Sequence, residues 1–98
     1  MECNRTIICG KIVKLGVLRY TPAGVAVIEF TVSHVSRQKE AGLVRQIILD
    51  IFAVALGQLA LTIAKFKIDS RVKLTGFLNR KSHMNPQLVL HAEHIELI

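Results

Sequence analysis

Between Val25 and Val35 the chain alternates: Ala26, Ile28, Phe30 and Val32 are apolar, and Glu29, Thr31 and Ser33 stand between them. A period of two marks a half-buried β-strand, because successive side chains leave a strand on opposite faces. The same period runs through Val44–Val54, where Ile47, Leu49 and Ile51 oppose Gln46, Ile48 and Asp50. It returns in Arg71–Arg80, with Val72, Leu74, Gly76 and Leu78 on one side and Arg71, Lys73, Thr75, Phe77 and Asn79 on the other. Arg5–Arg19 and Leu88–Ile98 are also strand-like. The period changes only between the third and fourth of these runs. There Leu56, Leu59, Ala60, Ile63 and Phe66 follow helical spacing while Gln58, Thr62 and Lys65 fall elsewhere, predicting a short helix with one apolar side.

Turn residues divide the runs. Thr21-Pro22-Ala23-Gly24 closes a hairpin between the first two strands, with Pro presetting φ and Gly tolerating positive φ. The polar stretch Arg37–Gly42 predicts a loop, and Lys81–Gln87, which holds Asn85-Pro86, predicts the last turn. Strand, strand, strand, helix, strand, strand, read as one domain over residues 1–98, is a mainly β arrangement. It matches the five-stranded Greek-key barrel called the OB-fold, with its short helix between strands 3 and 4. Gly10 and Gly76 fall inside strands, where a small barrel needs bends or bulges. Phe30, Phe52 and Phe66 are expected in the core, and Phe77, on the face of Arg71 and Lys73, outside it.

Composition adds two expectations. A 98-residue chain has room for one core, and 51% hydrophobic residues is more than so small a domain buries alone, so self-association as a homodimer is expected. The formal charge of +6 favours an anionic partner. No apolar stretch approaches the ~20 residues that span a bilayer, and no leader-like pattern opens the chain, so a cytoplasmic location without membrane contact is expected. Cys3 and Cys9 on one strand would lie ~20 Å apart, beyond disulfide reach.

Catalytic signatures are missing: no Gly-rich phosphate loop, nucleophile elbow or metalloprotease motif. The chain reads as a non-enzyme that needs no cofactor. His91 and His94, three apart on a strand, are expected to point to opposite faces and so not to pair as metal ligands. His34 and His83 lie in separate segments with no carboxylate cluster nearby.

The cations are more informative. In the OB-fold, nucleic acid crosses the face of the second and third strands, flanked by the loops after the first and fourth. Lys14 and Arg19 belong to or follow the first strand, Arg37, Lys39 and Arg45 border the loop between the second and third, and Lys73, Arg80 and Lys81 run into the last loop. With Tyr20, the best stacking candidate in a chain of one Tyr and no Trp, these residues form the expected site for single-stranded DNA.

Several segments carry a family resemblance: Asn4-Arg5 through Gly10, the hairpin RYTPAG, Ser33-His34 followed by Ser36, the stretch EAGLVRQ, Ser70-Arg71 to Gly76-Phe77, and the ending VLHAEHIELI. Together they resemble the primosomal replication protein N (PriB) family, bacterial relatives of the single-stranded-DNA-binding proteins. The resemblance implies an OB-fold homodimer that binds single-stranded DNA at stalled forks. It also implies contact with the helicase PriA, and with DnaT during handover, to restart replication. Family DNA contacts fall here on Arg19, before the hairpin turn, and on Arg80 and Lys81, between the last two strands. The chain departs from the family at Leu43 and Ile48, where better-known members carry aromatics, and at Val35, where they carry a basic residue. The last basic loop is also shorter. These departures imply weaker DNA binding, or reliance on Tyr20, Arg37, Lys39 and Arg45, which charge and position alone select. A general single-stranded-DNA-binding protein is the alternative, but those normally continue into a tail with an acidic end, whereas this chain stops at Ile98. A protein-interaction module with weak DNA binding is the third reading, kept open by the missing aromatics.

Overall fold

The computed structural model describes all residues from Met1 to Ile98. The elements are β1 (Thr6–Leu15), β2 (Arg19–Tyr20), β3 (Ala26–Glu40), β4 (Leu43–Leu56), α1 (Gln58–Ile63), β5 (Arg71–Ser82) and β6 (Asn85–Leu97). The barrel closes through β1, which serves two neighbours. Thr6–Lys11 pairs antiparallel with β5, and Lys11–Leu15 pairs antiparallel with β3. The strand order β1-β5-β6-β4-β3-β2 is thereby joined end to end, and the five long strands make the OB-fold barrel. β4 and β6 pair in parallel at Ala53 with Leu90 and Val54 with His91.

Sharp curvature in so small a barrel requires close backbone approach, and two glycines permit it. A Cβ on Gly10 would overlap the Ser33 carbonyl and the Val32 side chain, and one on Gly76 would overlap the His91 carbonyl. The β5–β6 ladder shifts register between Thr75 and Gly76, so Gly76 sits at a bulge as expected.

The alternating residues of β3 turn inward as predicted: Ala26, Ile28, Phe30 and Val32 are buried in one cluster with Ile12, Ala53, Ala55, Val72, Leu74 and Leu90. Helix α1 adds Ala60 and Ile63, both fully buried. Its span is shorter than the predicted Leu56–Phe66. Leu56 stays in β4, paired with Val27, and Gly57 at φ 69° ends the strand. Phe66 follows the helix and is partly buried against the core. No helix is long and apolar enough to cross a membrane.

Three further boundaries differ from the sequence reading. The first strand stops at Leu15, and Arg19–Tyr20 forms a separate two-residue strand against Val27 and Ala26. The expected loop Arg37–Gly42 is strand to Glu40, because residues Val27–Glu40 and Leu43–Leu56 pair without interruption. Only Ala41 and Gly42 turn, both with positive φ (51° and 80°), as the tight turns of two-residue hairpins demand. Likewise Lys81 and Ser82 extend β5 and Asn85 opens β6, leaving two residues in the turn.

The outer half of the β3–β4 hairpin has no third strand beside it. His34 fastens its base: Nδ1–H donates to the Cys9 carbonyl at 2.7 Å, and Nε2 lies 2.7 Å from the Ser36 hydroxyl, from which it accepts. These bonds fall just beyond Lys11–Ser33, where the β1–β3 ladder stops.

Candidate nucleic-acid interface

The outer faces of β3 and β4 form the floor of a groove of about 730 Å³. Strand pairing decides what lies there. Glu29 stands opposite Val54 and Thr31 opposite Phe52, all on the side away from the core. One flank comes from the end of β1, the following loop and β2, with Lys14, Gly16 and Arg19; the other comes from β5 and β6, with Lys81, Gln87, Val89 and His91. This is the strand face and loop pair that OB-folds use for oligonucleotides.

Three of the expected site residues, Lys14, Arg19 and Lys81, thus meet in one concavity. Arg19 is not free: its Nη2 lies 3.0 Å from Glu29 Oε1, with both side chains exposed. Arg37 and Lys39 continue the same face outward along the hairpin, opposite Gln46 and Val44, and neither forms an ion pair. From Thr31 to Lys39 that track runs ~27 Å at ~3.3 Å per residue. Arg45 is on the reverse face of the hairpin, opposite Gln38, and its Nε pairs with Glu40 Oε1 at 3.3 Å. Arg80 is exposed beside the last turn, where Nη1 donates to the His83 carbonyl at 3.4 Å. Tyr20 is 60% exposed but does not line the groove. Lys73 lies on the β1–β5–β6 wall, between Cys9 and Glu96 in the ladder, also outside the groove.

Two residues depart from expectation. Phe52, expected in the core, is 45% exposed in the groove. Its signal was present in the alternation, since Phe52 falls on the face of Gln46, Ile48 and Asp50 and not on that of Ile47, Leu49 and Ile51. His91 and His94, expected on opposite faces, emerge on the same one, opposite Phe77 and Thr75. The bulge at Thr75/Gly76 inserts one residue between them and restores their parity. Phe77 faces outward as expected and stacks on His91, with ring centroids 5.0 Å apart and 9° between planes. His94 pairs instead with Glu96 at 3.5 Å. No group of three or more His, Cys, Asp or Glu is placed to hold a metal, and both cysteines are free and exposed.

A closed five-stranded barrel with a cationic groove across its second and third long strands defines a protein of the single-strand-binding class. Residues 4–94 match the family described as another single-strand binding protein family. The replication restart protein PriB of Nitrosomonas europaea is 41% identical over 95 residues, covering 97% of this chain and 88% of its own. That of Photorhabdus laumondii is 37% identical over 101 residues, covering 100% and 96%. The solved PriB of Ralstonia solanacearum superposes with a TM-score of 0.89 at 31% identity, covering 98% of each chain. The chain belongs to the PriB family. A single-stranded DNA binding protein from Thermus aquaticus shares the fold alone, with a TM-score of 0.80 at 17% identity over 98% of this chain and 50% of that one.

Proposed function

We propose that this protein binds single-stranded DNA along the groove and hairpin face and acts as an accessory of the replication-restart primosome in the cytoplasm. The observation that carries the reading is the placement of Lys14, Arg19 and Lys81 around the outer face of β3 and β4 in a member of the PriB family. Arg37 and Lys39 extend the grip along the hairpin, and Arg80 contributes from the last turn. Arg45 takes a smaller share because it lies on the reverse face of the hairpin, Lys73 because it lies on the β1–β5–β6 wall, and Tyr20 because it does not line the groove. The protein acts as one binding domain over residues 1–98 and catalyses nothing. As a homodimer it assists the helicase PriA at stalled forks and passes the strand on with DnaT.

The second reading, a protein-interaction module with a weak grip on DNA, is favoured by the exposed apolar hairpin face. Val35 and Ile48 stand opposite one another there, 59% and 68% exposed.

Anisotropy titration of a labelled oligothymidine in rising salt separates the two. The first reading expects affinity to fall steeply, with a log–log slope of about −0.7 per phosphate neutralised. Replacing Arg37 and Lys39 together by Ala should flatten that slope by about 1.4. Absence of binding at low salt leaves the interaction module. Unwinding of a forked substrate by PriA, with and without the protein, then reports whether it stimulates the helicase.

A further inference from the structure

His91 reaches the groove already stacked. Its imidazole lies against the Phe77 ring, its ladder partner on β5, with 5.0 Å between centroids. Phe77 covers one face of that imidazole, and His91 also lines the groove. Across the parallel β4–β6 pair, His91 stands beside Val54. Phe52, two residues earlier on β4, emerges on the same outer side. Val54 and Val89 provide apolar floor between them. An aromatic ring left nearly half in water forgoes burial that a core position would have supplied. Flat π surface flanked by Lys14, Arg19 and Lys81 suits a ligand of flat rings on an anionic backbone.

We infer that Phe52 and the Phe77–His91 pair form a two-part stacking platform for unpaired nucleobases. One base lies on Phe52, and another extends the Phe77–His91 stack over the free side of the imidazole. The inference rests on the reading of the groove as a single-stranded DNA site and adds the contact to the bases that cations alone do not provide. It places the aromatic contribution in the groove between β4 and β6, away from Leu43 and Ile48 on the projecting hairpin. Because every base has a π face, such a platform is indifferent to sequence, but it gains nothing from a strand without bases.

The test compares a labelled oligothymidine with an abasic oligomer of equal length and charge, titrated at one low salt concentration. The wild-type protein should bind the base-bearing strand more tightly. Phe52→Leu and His91→Leu should each lower the ratio of the two affinities by about ten-fold, the scale of one lost stack. For Phe52→Leu the salt slope should not change, since no cation is removed. Phe52→Tyr and His91→Phe keep a ring at each position and should restore the ratio, which separates stacking from a folding defect. A wild-type protein that binds both strands equally overturns the platform, as do leucine variants that leave the ratio unchanged. Either result leaves the cationic grip on the strand intact. Failure to bind either strand overturns the groove reading and the platform with it.

Discussion

Glu29 is the one acidic residue lining the groove, and its carboxylate holds Arg19 Nη2 at 3.0 Å. Both side chains are more than half exposed, so the pair itself adds little stability and a phosphate can displace it. The displaced carboxylate nevertheless stays close to the bound strand and repels it. Glu29→Gln is therefore expected to tighten oligothymidine binding about three- to ten-fold at low salt, with the gain shrinking as salt screens the repulsion. An unchanged affinity in the anisotropy titration would place the phosphates away from Arg19. At this scale the sequence was legible for charge and only partly for position. Lys14, Arg19 and Lys81 could be assigned to one groove because each borders a loop that the OB-fold directs there. Arg45 could not be separated from Arg37 and Lys39 until the hairpin register placed it on the reverse face, against Glu40. Phe52 is apolar in type but outward in parity, and the parity prevails.

The bulge in the β5–β6 ladder shows how one backbone irregularity redirects an element. Beyond Thr75/Gly76 the added residue turns His94 onto the face of His91, which a regular strand would forbid. Gly76 is the only residue type that fits, because any Cβ would press on the His91 carbonyl. Gly76→Ala should cost about 2–3 kcal/mol, the scale of core overpacking, and lower Tm by roughly 10–20 °C. Thermal unfolding followed by circular dichroism measures this; an unchanged Tm would mean that the bulge absorbs the methyl. Strand existence and order were legible throughout, since the period of two survives wherever one face is buried. The end of the β3–β4 hairpin was not, because neither face there is buried and RQKEAG carries no apolar alternation. Cross-strand hydrogen bonding and the tight Ala41–Gly42 turn hold it as strand instead.

On the scale of the whole molecule, the accessible surface is 7026 Å², against about 5,600 Å² for a compact monomer of 10.9 kDa. The Cα radius of gyration is 14.4 Å, against about 12.6 Å for a compact chain of this length. Part of the excess is the projecting hairpin, and much of what it exposes is apolar: Val35, Leu43, Val44 and Ile48 are each more than half exposed. A second copy covering the reverse face of the hairpin, where Leu43 and Leu49 are exposed, would recover burial and leave the Arg37–Lys39 track free. Sedimentation at micromolar concentration is expected to give twice the 10.9 kDa chain mass. A monomer at that concentration would leave the apolar surface to another partner.

The basic, mainly β barrel with its short helix was determined by the sequence alone, because charge is additive and strand periodicity is local. The inward set of β3, the role of Gly76 and the outward direction of Phe77 followed from the same local rule. Tertiary structure alone decided the ion pairing of Arg19, the reverse placement of Arg45 and the shared face of His91 and His94. Each of these depends on the register between strands distant in sequence. A shift of one residue in that register exchanges the core face for the groove, and no local pattern reports it.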